Sequence, residues 1–137
     1  MAWDEPSIPD DETIYRRIPN KPEFMAPDLL SGERAVSRTA FQWDDDGISV
    51  HRSSILEAND LGPESIIRRE GQMVFGFTAA APRVCGAGVV DDPIPDDPPA
   101  GIAHALIQCE TVKPDRARRR EIAETLAGAS RQYYPAE

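Results

Sequence analysis

Residues 91–99, DDPIPDDPP, place four prolines and four aspartates in nine consecutive positions. Proline fixes φ and lacks an amide N–H, so neither a helix interior nor a central strand can run through this spacing. The stretch reads as a stiff acidic strap that empties into an apolar run, 103–109, holding one of the chain's two histidines, His104. With 13 prolines in 137 residues, long irregular connections are expected around a core of ordinary size. Residues 1–12, acidic and proline-broken, are expected to form a flexible arm, and residues 13–137 a single domain.

On either side of the strap the apolar pattern alternates between the two periods of regular structure. Residues 13–18 (TIYRRI) alternate as a strand that Pro19 stops, with Tyr15 and Arg17 on one face and Arg16 on the other. Residues 20–32 read as an ordered loop pinned by Phe24, Met25, Leu29 and Leu30. Residues 37–43 and 48–52 flank Asp44-Asp45-Asp46-Gly47 and predict a hairpin, with Phe41 and Trp43 sharing a face and His51 opposite Ile48, Val50 and Arg52. Short helices are expected from Ser53 or Ser54 and over 63–70, the latter opened by Pro63. Residues 73–77 are a short apolar strand, and 79–84 a short helix capped by Thr78. In 103–109 the small and apolar Ala103, Ala105, Ile107 and Cys109 share one face, with His104, Leu106 and Gln108 on the other. After Pro114 the longest helix runs from Asp115 to about Arg131, its buried stripe drawn by Ile122, Leu126, Ala129 and Tyr133. The fold class is α+β: a small, mostly antiparallel sheet of four or five strands, short helices, and a long C-terminal helix on one face.

The formal net charge of −9 argues against nonspecific nucleic-acid binding, which depends on neutralising phosphates. Half of the 24 acidic residues fall in three clusters, 4–12, 44–46 and 91–97, which leaves twelve acids against 15 bases in the rest of the chain. Local anion sites therefore remain open. Thirteen of those bases are arginine, suited to bidentate contact with carboxylate or phosphate.

Arg16 and Arg17 sit in a strand, where charge is costly unless paired or solvated. They are either an anion clamp, with Arg38 as a further anion-binding candidate, or pairs for the strap's Asp92 and Asp97. His104 is either a general acid–base or, the favoured choice, the donor that ties the strap down. His51 is a second acid–base candidate. No catalytic residue follows from these alone. Arg116, Arg118, Arg119 and Arg120 crowd the first turns of the last helix against its dipole, so they need acidic neighbours or a partner; Arg116, Arg119 and Arg120 are the partner-binding candidates. The strap's aspartates lack the spacing of a calcium loop, Cys85 and Cys109 lack metal spacing, and no serine sits in a Gly-x-Ser-x-Gly context, so no metal or cofactor is expected. No stretch resembles a signal peptide or a membrane span, and two isolated cysteines fit a reduced, cytoplasmic setting.

The order Tyr15-Arg16-Arg17-Ile18-Pro19, Ser37-x-x-Ala40-Phe41, Ile48-Ser49-Val50-x-Arg52, Phe77-Thr78-Ala79, Val89-Val90-x-Asp92-Pro93 and His104-Ala105-Leu106-Ile107 resembles a family of small uncharacterised bacterial proteins. The resemblance covers residues 13–131 and rests on order and spacing. It implies a bacterial intracellular protein, encoded with an accessory or conflict-related system, and it supplies no catalytic residue. Members of that family tend to carry Asp where His51 stands. The expected function is a non-enzymatic protein-binding or accessory module of a bacterial multi-protein system, with a protein partner. The alternative is a small enzyme acting on a nucleotide or RNA phosphate through Arg16, Arg17 and His104.

Overall fold

A computed structural model describes residues 2–26 and 35–136. Among them six strands form one antiparallel sheet: β1 (Thr13–Pro19), β2 (Ile48–Arg52), β3 (Gln72–Thr78), β4 (Gly88–Asp91), β5 (His104–Gln108) and β6 (Arg131–Tyr134), in the order β4-β5-β2-β1-β3-β6. The helices are α1 (Ser53–Ala58), α2 (Ala80–Val84) and α3 (Arg116–Ala129). Period-two alternation gives the sheet two apolar faces. One face, with Ile14, Ile18, Val50, Phe75, Phe77 and Ile107, packs against Phe41 and against Ile122 and Leu126 of α3, all of them buried. The other carries Tyr15 and Val74, covered by Leu56 of α1, Ile66, and Ala100 and Ala103 at the end of the strap. The α+β class with a C-terminal helix over one face is the arrangement seen.

Several local expectations are corrected. Residues 37–43 do not form a strand: Arg38–Phe41 is a 3-10 turn. Its Ala40 and Phe41 are buried against α3, an anchorage that outweighs their alternation. The turn before Gly47 does form, Asp44 N–H donating to the Gly47 carbonyl at 2.8 Å, but β2 then pairs with β1 and β5 instead of a hairpin partner. Gly47 lies so close to β5 that a Cβ there would run into the Ile107 carbonyl. The helix expected over 63–70 is a single 3-10 turn, Pro63–Ile66, because the Gln72 side chain takes the Arg68 and Arg69 amides.

The last helix ends at Ala129, which is exposed, and Tyr133 leaves its stripe for β6, where its ring meets Tyr15 edge-on at 5.2 Å. The N-terminal segment, expected as a loose arm, is packed. Ile8 is fully buried, Glu5 N–H donates to Val89, and Asp4 accepts from the Val89 amide, so the segment covers the β4 edge. Phe24 and Met25 pack against the core as expected, while Leu29 and Leu30 lie outside the described residues.

One irregularity organises the rest. β1 matches β3 along its whole length and β2 matches β5 over four residues, but β1 and β2 pair only at Ile14↔Arg52 and Tyr15↔His51. Beyond Tyr15 the two strands part. Arg16 turns into the opening, its Nε donating to the Ala40 carbonyl at 2.6 Å and its Nη1 to the Ser49 carbonyl at 2.7 Å.

Candidate functional site

The strap decides which of the predicted residues are already committed. His104 Nδ1 lies 2.9 Å from the Asp92 carbonyl and 3.1 Å from the Asp92 carboxylate. Both neighbours are acceptors, so Nδ1 carries the proton and donates. The Asp92 amide returns a bond to the His104 carbonyl at 2.9 Å. At the far end Asp97 is ion-paired with Arg68, and Ile94 N–H donates to Gly101 at 2.8 Å. Asp91 accepts both its bonds from Arg52, which also grips the buried Glu12 through two contacts of 3.0 Å. Asp91, Asp92 and Asp97 of the strap are therefore held by Arg52, His104 and Arg68. Arg16 and Arg17, expected as their partners, are not.

Arg16 and Arg17 line a cavity of about 480 Å³ in the opening between β1 and β2, with Ser49, His51, Trp43 and Asp44 around them. Burial lowers Arg16 to about 10; the neighbouring Arg17 charge adds to this and Asp44 pulls the other way. Among the described residues Arg17 donates to the Ile66 carbonyl at 3.2 Å. Neither has an ion-pair partner among the described residues. Arg17 and His51 also line a second cavity of about 360 Å³ beneath the strap, with Arg68 and Asp97. His51 is 4% exposed. Burial drives it down to about 3, with His104, Arg17 and Arg68 all adding to that shift. It is neutral at physiological pH, a hydrogen-bonding group and too weak a base for efficient proton abstraction there.

A third cavity, of about 370 Å³, lies at the start of α3, shares Trp43 with the opening between β1 and β2, and gathers Arg38, Arg116, Arg119 and Arg120 around Phe41. Asp115 caps the helix, accepting from the Arg118 amide at 2.8 Å. Arg118 turns away to Glu110 and Glu121. Arg38 and Arg120 share one oxygen of Glu124, at 2.8 and 3.0 Å. Among the described residues Arg116 and Arg119 have no acidic partner. The half-buried Trp43 is fixed in the wall by its indole N–H, which donates to the Val112 carbonyl at 3.1 Å.

The four predicted surface arginines thus converge, although Arg38 is far from the others in sequence. Arg16, Arg17 and His51 converge as well, and His104 is excluded from both groups. Arg68, Trp43 and Ser49 were missed. Of these only the aromatic Trp43 stands out in the sequence, and nothing in its spacing shows which cavity it lines.

Among the described residues no three His, Cys, Asp or Glu side chains are grouped to hold a metal ion, and no helix is long and apolar enough to cross a membrane. No family model, curated protein or solved structure matches the chain.

Proposed function

We propose that the chain is a non-enzymatic binding module that docks an acidic segment of a protein partner in the arginine-ringed cavity at the start of α3. The observation that carries this is the state of Arg116 and Arg119: two guanidinium groups beside a helix N-terminus, without an ion-pair partner among the described residues, in a cavity walled by a fixed tryptophan. Like charges crowded at the positive end of a helix dipole repel one another, and an incoming carboxylate relieves that repulsion while forming bidentate bonds. A net charge of −9 opposes a long polyanion such as RNA but not a short acidic peptide that meets only the local field. In line with the resemblance drawn above, the system it would serve is a bacterial accessory or conflict-related assembly.

What weighs against phosphate chemistry on a nucleotide or RNA is the fate of the two histidines. His104 spends its Nδ1 proton on the strap, and His51 is held neutral far below the pH at which it could shuttle protons.

The test is fluorescence anisotropy with a labelled Glu/Asp-rich peptide, a Lys-rich counterpart and a single-stranded RNA. The acidic peptide alone should bind, and Arg116→Ala/Arg119→Ala should weaken it roughly tenfold or more. Binding that ignores the double substitution, or that favours the RNA, would overturn the proposal.

A further inference from the structure

The opening between β1 and β2 is a different kind of place from the α3 cavity, and it carries an inference independent of the docking proposal. Arg16 is part-buried and retains its charge, with a value of about 10. Two of the five N–H donors of its guanidinium go to backbone carbonyls. Arg17 gives one of its five to a carbonyl. Carbonyl dipoles satisfy geometry, but they leave two buried or half-buried positive charges without a formal counter-charge among the described residues. Asp44 lines the same cavity and forms no ion pair with either.

His51 supplies the second, independent observation. It is 4% exposed, lines the cavity, and among the described residues makes no hydrogen bond; its one ring contact is with His104. Its ring nitrogens are not sealed in the interior: among the described residues the buried side-chain polar atom without a partner is Gln132 Oε1, so the imidazole opens onto the cavity, where a ligand can reach it. The Ser49 side chain lines the same space. A cavity of about 480 Å³ is large enough for a small metabolite-sized molecule.

We infer that this opening is a binding site for a small oxyanion, a phosphate monoester or a carboxylate on a small polar molecule, held between Arg16 and Arg17 with His51 as a hydrogen-bonding partner. Guanidinium groups present paired donors that match the two oxygens of either anion. The parting of β1 from β2 gives the ligand its room, and the arginines on consecutive positions of β1 reach the space from opposite faces of the sheet. The anion supplies the ion-pair partner that neither arginine has among the described residues. It would also favour the protonated form of His51, so the imidazole reports on occupancy.

The experiment is proton NMR of the full chain titrated with inorganic phosphate in one arm and malonate in the other. His51 Cε1–H is identified by difference with His104→Gln. The expected result is a saturable movement of the His51 resonance with at least one of the two anions, and the arm that saturates at lower concentration names the ligand class. Arg17→Gln, which removes a side chain that is only half-buried and spares Arg16, should weaken the response roughly tenfold or more. Arg116→Ala/Arg119→Ala should leave it unchanged, which separates this site from the docking cavity. A His51 resonance indifferent to both anions, or one that responds equally in Arg17→Gln, would overturn the inference.

Discussion

His51 and His104 are direct cross-strand partners on β2 and β5, with ring centroids 5.4 Å apart and planes at 84°, yet they serve opposite ends. His104 is committed to the backbone of Asp92, while His51 faces two arginine-lined cavities without a hydrogen-bond partner among the described residues. Their adjacency also explains part of the chemistry, since His104 disfavours a positive charge on His51.

Removing the His104 donor should loosen the strap before it unfolds the domain. His104→Leu keeps the buried volume and leaves the Asp92 carbonyl unpaired, for a loss of about 1–3 kcal/mol. Hydrogen exchange followed by mass spectrometry should show faster exchange at the Asp92 and Ile94 amides, whose acceptors are His104 and Gly101. Unchanged protection across residues 92–103 would remove His104 from its anchoring role.

Acid stability should bear the mark of His51. Its value in the folded chain, about 3, lies below its usual 6.5, so between those limits the unfolded chain takes up a proton that the folded chain refuses. Stability is complete above pH 6.5 and falls as the pH drops, with a slope of up to about 1.4 kcal/mol per pH unit. Glu12 joins below its usual 4.5: burial raises its carboxyl, but hydrogen bonds from Arg52 and Ser54 more than reverse this, so protonation also favours the unfolded state. Urea titrations between pH 6.5 and 4.5 should lose most of the slope in His51→Gln. A slope that survives the substitution assigns it to other groups.

Arg52 and Arg120 should differ sharply although both form ion pairs. Arg52 is 14% exposed and holds Glu12, at 5%, together with Asp91. Arg52→Ala strands a buried carboxylate and should lower stability by about 3–5 kcal/mol. Arg120 and Glu124 are both more than half exposed, and Arg120→Ala should change stability by no more than about 0.5 kcal/mol. Comparable values from denaturant titration would contradict the burial-based ranking.

Gly76 and Tyr133 should be energetically coupled. A Cβ on Gly76 would stand 2.9 Å from the Tyr133 ring and 3.1 Å from the Ile14 carbonyl. Gly76→Ala should therefore displace the ring from Tyr15 and destabilise by about 1–3 kcal/mol. In the Tyr133→Ala background the same change should be milder, because the smaller neighbour leaves room. A double-mutant cycle measures the difference, and a coupling indistinguishable from zero would mean that β6 does not depend on this contact.

The strands with strict alternation were legible. Ile14 and Ile18 on one side of β1, and Ala105 and Ile107 on one side of β5, face the core as their spacing demands, since a one-residue slip would put each on the wrong face. The C-terminal helix was legible from its period and its Asp115 cap. Residues 37–43 were not, because Phe41 answers to α3 and not to its neighbours in sequence. The two edge strands escaped notice for a similar reason: four residues carry too little pattern, and β6 is placed by Tyr133 finding Tyr15.

By itself the sequence determined the class of fold, the stiffness of the strap, and the excess of arginine outside the acidic clusters; it favoured His104 as the strap's anchor, and the structure supplied the bond. These are local properties: φ restriction at proline, period-two burial, and composition. Only the tertiary structure decided which arginine meets which acid. Arg52 and Arg68 took the strap's aspartates, Glu124 took Arg38 and Arg120, and Arg16, Arg17, Arg116 and Arg119 were left facing cavities. Ion pairing is a contest among long side chains within a few ångströms of one another, and distance along the chain says little about who is near. The early end of β1–β2 pairing belongs to the same category, because two adjacent arginines must find carbonyls and space that only neighbouring elements provide.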